Sequence, residues 1–287
     1  MGYSQPGIIS RKRSPKMKRE FACVILMLVM SPAAFSHFPI LIHDAPFAEV
    51  NQAVKFMFAV GHPYEQEYTD PPKPEKVTAF GPNGQSTDLT ASLTAGQYTV
   101  DTLTAKVWEF TYKPEAPGDC IVALNTAPEI GLNNMLNQEF LKVCLHVEEQ
   151  GGWDTRTGQP LEIVPLTRPY GLEEGYVFTG QLLKGNEPLA GVSVEIEQFM
   201  TQVPAAEDLP PEPLITKVVK TDPNGVFTYT LPHPGWWIIA AYVENAGEIQ
   251  KDGRTYTLSG LAALWIHVEK TFEQKFTSRI YIWQKHN

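Results

Sequence analysis

Residues 221–242, TDPNGVFTYTLPHPGWWIIAAY, join a turn to two strand patterns. Pro223 and Gly225 stand where a tight turn favours them. The stretch Val226–Leu231 then alternates between apolar and polar residues, and a glycine followed by two tryptophans opens a second apolar run at Gly235. Turn, alternating strand and Gly-aromatic strand together predict a β-hairpin of the kind found in small β-sandwiches.

Short stretches rich in Val, Ile, Phe, Tyr and Thr continue along most of the chain, between turns that draw on its 24 prolines and 21 glycines. Residues 52–59 show the pattern well, with Val54, Phe56 and Phe58 on one face. We therefore expect an all-β protein with two β-sandwich domains, Ig-like or transthyretin-like, the second of the prealbumin or carboxypeptidase-regulatory type. The predicted order is a signal peptide at 1–36, a first sandwich at 37–150, a linker at 151–171 and a second sandwich at 172–287.

The stretch 17–44, MKREFACVILMLVMSPAAFSHFPILIHD, has the order of a cleaved secretory signal. Basic residues precede ten uncharged apolar residues, and small residues follow at Ala33, Ala34 and Ser36. The apolar core is about half the length that spans a bilayer, so we expect cleavage and no stable membrane insertion of the mature chain. A cut after Ser36 makes His37 the first residue of a periplasmic or secreted protein.

The net charge argues against some partners. The whole chain carries a formal charge of −9. Removal of residues 1–36 takes away six of 23 basic and one of 32 acidic side chains, which leaves 17 against 31 and a charge of −14. An excess of negative charge argues against nucleic acid and against an anionic membrane surface as partners.

A histidine at a free N-terminus can chelate a metal ion. Its α-amine and its ring Nδ1 close a six-membered ring on one ion, and their ordinary pKa values of about 8 and about 6.5 let both bind near neutral pH. Such nitrogen donors favour Ni²⁺, Co²⁺, Cu²⁺ or Zn²⁺ over Mg²⁺ or Ca²⁺. The alternative is that His37 merely follows the cleavage site.

Further ligands are predicted at His62 and His267, with Glu65 either as an oxygen ligand or as the partner that holds the other ring nitrogen of a ligand histidine. His62 follows a strand and a glycine, where scaffolds commonly display ligands, although a solvated loop histidine fits as well. His267 shares a strand face with Glu269, although a satisfied core histidine fits there too. His43 shares a face with His37 but lies roughly 20 Å from it along a straight strand, so those two cannot hold one ion unless the chain bends.

Two cysteines remain after cleavage, Cys120 and Cys144, both in strand-like runs. In an oxidising compartment they form either a disulfide between neighbouring strands or two buried free thiols. The sequence leaves both readings open.

Five features occur in order along the chain: His37 at the expected start, GHPYEQEY at 61–68, EIVPLTRPYG at 162–171, TDPNGVFTYTLPHPGWW at 221–237 and LAALWIHVE at 261–269. In these the chain resembles a family of periplasmic components of nickel and cobalt uptake, the NikK type. The resemblance implies a protein that binds Ni²⁺ or Co²⁺ outside the inner membrane and has inner-membrane nickel/cobalt transporter subunits as its partners.

Two other functions compete with metal delivery. An N-terminal histidine on a β-sandwich also describes copper mono-oxygenases of polysaccharides, which need an aromatic binding surface such as one formed by Trp153, Trp236 and Trp237. A surface or carbohydrate-binding module with incidental histidines is the other. The chain has no GxSxG, HExxH or Walker sequence, so we do not expect an enzyme.

Overall fold

A computed structural model describes residues 37–130 and 135–271, and these belong to one unit that begins at His37. The predicted signal peptide at 1–36 lies outside the described residues. The described residues contain strands and short 3-10 turns, and none of their helices has the length and apolarity to cross a membrane. The predicted all-β class is confirmed.

The described strands are, in chain order, β1 (Phe38–His43), β2 (Phe47–Ala48), β3 (Val54–His62), β4 (Glu67–Thr69), β5 (Lys76–Phe80), β6 (Ser86–Asp88), β7 (Thr94–Val100), β8 (Leu103–Tyr112), β9 (Cys120–Asn125), β10 (Glu129–Ile130), β11 (Met135–Val147), β12 (Leu161–Pro165), β13 (Leu172–Glu173), β14 (Tyr176–Lys184), β15 (Glu187–Pro188), β16 (Ser193–Gln198), β17 (Lys217–Lys220), β18 (Val226–Leu231), β19 (Gly235–Lys251) and β20 (Arg254–Glu269).

The strands form three sheets. A central sheet has the order β17-β16-β19-β20-β11-β9-β5-β6, with β2 and β10 added to β11 and β13 added to β20. A first outer sheet has the order β1-β3-β8-β7, with β4 on β3, and a second outer sheet consists of β12, β14, β15 and β18. At the middle of the central sheet β11 and β20 run parallel, while β19 and β20 form a long antiparallel pair.

The outer sheets pack against opposite faces of the central sheet. Along β20, Ala263 and Trp265 belong to the apolar core shared with the first outer sheet, while Leu264 and Ile266 belong to the core shared with the second. Successive residues of a strand point to opposite faces, so β20 is buried on both sides. A strand buried on both sides needs apolar residues at every position, and this explains the unbroken LAALWI run.

The central sheet draws on both stretches that the sequence predicted as separate domains. Strands β5, β6, β9 and β11 come from 37–150, and β16, β17, β19 and β20 come from the stretch after 171. The predicted linker at 151–171 contains β12, which pairs antiparallel with β14 from Leu161↔Lys184 to Pro165↔Gly180. The linker showed no period in the sequence because β12 is short and buried at every position.

A buried ion pair connects the central sheet to the second outer sheet. The Lys142 ammonium donates to Glu162 Oε1 at 2.8 Å, and these side chains are 2% and 0% exposed. Glu162 also accepts the Thr157 backbone N–H at 2.8 Å and Arg156 Nε–H at 3.0 Å. Burial is offset here by a full set of hydrogen bonds around the carboxylate.

Candidate metal site and its surroundings

His37 and His62 lie side by side. In the antiparallel pairing of β1 with β3, Phe38 stands opposite Gly61, which brings the residue before β1 next to the last residue of β3. The two imidazole rings have centroids 4.7 Å apart and planes inclined at 46°. His37 is exposed and His62 partly buried. The structure therefore brings together two of the predicted ligands.

The loop after His62 is held by several hydrogen bonds. The Gln66 backbone N–H donates to His62 O at 2.9 Å, and the Gln66 amide donates to Pro63 O at 2.6 Å. Tyr68 OH donates to Gln66 Oε1 at 2.8 Å, and Gln66 itself has a positive φ of 60°. Because these bonds fix the turn, His62 has a stable position at the end of its strand.

Glu65 lies in this loop beside a second carboxyl group. Its Oε2 is buried without a hydrogen-bond partner among the described residues. Burial raises the pKa of Glu197 to about 7, and the negative charge of Glu65 contributes in the same direction. Glu197 accepts the Tyr64 backbone N–H at 3.1 Å and the Thr216 hydroxyl at 2.6 Å. Glu65 is thus close to an acidic partner.

His267 lies apart from His37 and His62. Its Nδ1 bonds Glu269 Oε1 at 2.9 Å, as the shared strand face predicted, and its ring contacts Trp236 with centroids 5.1 Å apart. The Trp236 ring in turn lies 4.9 Å from the ring of His43, at the opposite end of β1 from His37. Since β1 separates His37 and His43 by roughly 20 Å, His267 is roughly 10 Å or more from His37.

The structure therefore does not bring the three predicted histidines together: His37 lies beside His62, whereas His267 and His43 both contact the Trp236 ring. Within residues 37–130 and 135–271 no group of three or more His, Cys, Asp or Glu side chains is arranged to hold a metal ion. Strand periodicity fixes the face of a residue and not its neighbour from another sheet, so the sequence could not show that His267 lies near His43 and away from His37.

The environment of His43 was not predicted from the sequence. His43 is 5% exposed, and its Nε2 bonds the Cys144 carbonyl at 3.1 Å. A carbonyl only accepts, so Nε2 carries the hydrogen and Nδ1 carries the lone pair. Nδ1 is buried and has no partner among the described residues. Burial lowers the pKa of His43 to about 4, so its ring is neutral at pH 7.

A second polar cluster, around Asp119, was also missed. The buried Asp119 carboxylate bonds His146 Nδ1 at 2.7 Å and accepts Tyr170 OH at 2.9 Å and the Gly151 backbone N–H at 2.8 Å. The rings of His146 and Tyr170 stack with centroids 4.3 Å apart. These residues are far apart in sequence, so no local pattern could have joined them. The cluster fastens the RPYG segment to the central sheet.

Cys120 and Cys144 are both free and buried in the described structure, which is the second of the two arrangements expected from the sequence. Their strands pair with Cys144 opposite Ile121 and Leu145 opposite Cys120. This one-residue offset directs the two side chains to opposite faces of the sheet. Burial also raises the pKa of both thiols, which keeps them protonated.

The three tryptophans proposed for a polysaccharide surface do not share one. Trp237 is buried in the core with the second outer sheet, where its Nε1–H donates to His233 O at 2.9 Å. Trp236 packs against the core shared with the first outer sheet, and Trp153 packs against a separate small cluster of Ile121, Cys144 and Tyr170. Successive residues on β19 point to opposite faces, and this separates the Trp236 and Trp237 rings.

The chain belongs to the family described as Domain of unknown function (DUF4198), whose profile matches residues 34–245. A search of curated proteins gives no match. Among solved structures, the D0-D1 domain of Intimin aligns at 16% identity over 80% of this chain and 98% of that one, with a TM-score of 0.20.

Two further solved structures align. A putative carbohydrate binding protein from Pseudomonas aeruginosa aligns at 17% identity over 40% of this chain and 86% of that one, with a TM-score of 0.21. The fibronectin(III)-like modules of Clostridium thermocellum CbhA align at 8% identity over 82% of this chain and 98% of that one, with a TM-score of 0.22. Superpositions with TM-scores this low carry no argument about function.

Proposed function

We propose that this chain, cut after Ser36, is a periplasmic protein that binds Ni²⁺ or Co²⁺ through the amine and ring of His37 and the ring of His62. The observation that carries the proposal is the 4.7 Å separation of those two rings at the start of the folded unit. In this function the protein passes the ion to inner-membrane transporter subunits. That partner is supported by the sequence resemblance to NikK-type components.

The donors suit a cargo ion. Cleavage gives His37 an amine that binds together with its own Nδ1, and the ring of His62 supplies a third nitrogen. His37 is exposed, so the remaining coordination positions face solvent and an acceptor can approach the ion from that side. A site closed on every side would hold the ion for folding instead of transfer.

Glu65 has a supporting role in this proposal. Glu65 follows Pro63 by two positions in the loop that begins at His62. Its Oε2 atom is buried and has no hydrogen-bond partner among the described residues. A carboxylate near metal-binding nitrogens lowers the energy of a bound cation and raises its local concentration. The neighbouring Glu197 adds to this negative potential when it ionises, which its raised pKa of about 7 places near neutral pH.

The experiment compares chains that differ only at the N-terminus. A cleavable fusion yields one chain that begins at His37 and one that carries an extra glycine before it, and each is titrated with Ni²⁺ against a chromophoric chelator at pH 7.5. We expect one ion per native chain and roughly 10- to 100-fold weaker binding by the extended chain, because the amine is displaced. His62→Gln should weaken binding similarly.

His267→Gln is the matched control, since His267 lies with His43, away from the N-terminal pair. It should leave this Ni²⁺ affinity unchanged. Equal affinity of the native and extended chains would overturn the proposal.

Copper is the second candidate metal, because three nitrogens at a histidine N-terminus bind Cu²⁺ more tightly than Ni²⁺ in any such site. Affinity therefore does not decide the cargo. The cargo is decided by measuring metal accumulation in cells that lack the gene. Loss of Ni²⁺ or Co²⁺ accumulation supports the proposal, and loss of copper handling alone supports the copper alternative.

A further inference from the structure

The central sheet opens where its two parallel middle strands separate. β11 and β20 pair from Met135↔Thr257 to Val143↔Trp265 and no further. Beyond that point β11 takes β2 as its neighbour, with His146 opposite Phe47, and β20 takes β13. Cys144 and His267 therefore border a gap in the sheet. The side chains of His43 and Trp236 cover this gap on the face toward the first outer sheet.

A cavity of about 10 Å³ lies in this gap, lined among others by His43, His267, Glu269, Trp236 and Cys144. That volume is near the smallest that accommodates one water-sized occupant. The cavity therefore suits a single atom or ion and excludes a sugar, a nucleotide or a peptide side chain.

The two histidines that line the cavity are each oriented by one ring nitrogen. His43 Nε2–H donates to the Cys144 carbonyl at 3.1 Å, which leaves the Nδ1 lone pair. His267 Nδ1 is held by Glu269 Oε1 at 2.9 Å, which leaves the Nε2 lone pair. Metal-binding histidines have this arrangement, with one nitrogen donating to a carbonyl or carboxylate and the other on the metal.

The buried lone pair on His43 Nδ1 points to an occupant. It has no hydrogen-bond partner among the described residues, and leaving a buried polar atom in that condition has an energetic cost. A cation bound to Nδ1 would remove that cost.

We propose that His43 Nδ1 and His267 Nε2 bind one Cu(I) ion in the gap between β11 and β20. Imidazole nitrogens suit copper, zinc and nickel. Structural zinc is almost always four-coordinate, whereas Cu(I) is stable with two donors, the number of imidazoles that line this cavity. Glu269 is a positioning residue that acts through His267, and the Trp236 ring covers the site with centroids 4.9 and 5.1 Å from the two imidazoles.

This site is independent of the N-terminal pair, and the test separates them. The chain with one extra glycine before His37 is here also given the change His62→Gln. This extended chain lacks both the free His37 amine and the His62 ring, and it is titrated anaerobically with Cu(I) against bicinchoninate. We expect this chain to bind one Cu(I), with the X-ray absorption near-edge peak of a two-coordinate Cu(I) ion.

Three variants of the extended chain decide the ligands. His267→Gln should weaken Cu(I) binding at least 10-fold, and Glu269→Gln by roughly 10- to 100-fold through loss of the Nδ1 acceptor. His146→Gln, a histidine outside the cavity, is the matched control and should bind as the parent does. His267 is partly exposed, so its variant keeps the fold even where a variant of the buried His43 does not.

Two results would overturn the proposal. One is an extended chain that binds no Cu(I), or that takes up Zn²⁺ or Ni²⁺ in its place. The other is a His267→Gln variant that binds Cu(I) as tightly as the parent. Neither result bears on Ni²⁺ binding by the native N-terminus, because the extended chain lacks that site.

Discussion

Removal of the Glu162 charge should destabilise the protein more than removal of any exposed carboxylate. Glu162→Gln leaves the Lys142 ammonium, 2% exposed, without its counter-charge at 2.8 Å. Breaking a buried pair from one side costs about 3 to 5 kcal/mol, because the remaining charge is neither hydrated nor paired. A domain of ordinary stability has about 5 to 15 kcal/mol in all, so the change removes a large share.

Urea unfolding followed by tryptophan fluorescence measures the effect. With a slope of about 3 kcal/mol/M, the midpoint should fall by roughly 1 to 2 M. Glu187→Gln, on the exposed strand β15, is the control and should stay within about 0.5 kcal/mol of the parent. The double variant Lys142→Met, Glu162→Gln should recover much of the loss, because no buried charge remains.

The same pair gives a pH dependence with a definite sign. Burial by itself raises the pKa of Glu162, but the Lys142 charge and the hydrogen bonds to Glu162 outweigh it and leave the pKa below its ordinary 4.5. A carboxyl whose pKa is lower in the folded state stabilises the fold above pH 4.5, and that contribution is lost as the pH falls through the folded value. Glu162→Gln should therefore flatten the acid limb of the stability curve. Equal midpoints for Glu162→Gln and the parent would refute this account of the ion pair.

Three further outcomes are expected. Trp265→Phe should cost about 2 kcal/mol in urea unfolding, because Trp265 is fully buried and its Nε1–H bonds Pro39 O at 3.0 Å; a loss below 0.5 kcal/mol would contradict this. Tyr170→Phe should cost about 2 kcal/mol by removing a hydrogen bond to the buried Asp119 carboxylate, and an unchanged melting temperature would argue against that bond. The fragment 37–150 should not give a dispersed NMR spectrum, because its β11 lacks the partner β20; cooperative unfolding of that fragment would show otherwise.

The strands were predictable because each has a local pattern. Alternation in 52–59 placed Val54, Phe56 and Phe58 on one face, and all three are buried in β3 (Val54–His62). Val226–Leu231 and the Gly-aromatic run likewise became β18 and β19. The predicted hairpin between them is wrong, because β18 pairs with β14 in the second outer sheet while β19 pairs with β16 and β20 in the central sheet. Period-two alternation is a property of single strands, so it survives without knowledge of their neighbours.

The shared central sheet was not predictable by the same reasoning. The parallel pairing of β11 with β20 joins residues more than 100 positions apart, and the sequence of neither strand indicates which strand it pairs with. The unbroken apolar run in β20 did carry a signal for burial on both faces. The same limit applies to the site: His37 and His62 could be proposed from strand ends, but the pairing of His43 with His267 depends on how two sheets pack.

Native mass spectrometry of the protein exported by its own cells tests the central claim most directly, because one spectrum reports both the first residue and any bound ion. The account predicts a chain that begins at His37 and carries one Ni²⁺ or Co²⁺ ion, which is lost when His62 is changed to Gln. A mature chain that begins at another residue, or one that begins at His37 and retains its ion in the His62→Gln variant, would contradict it.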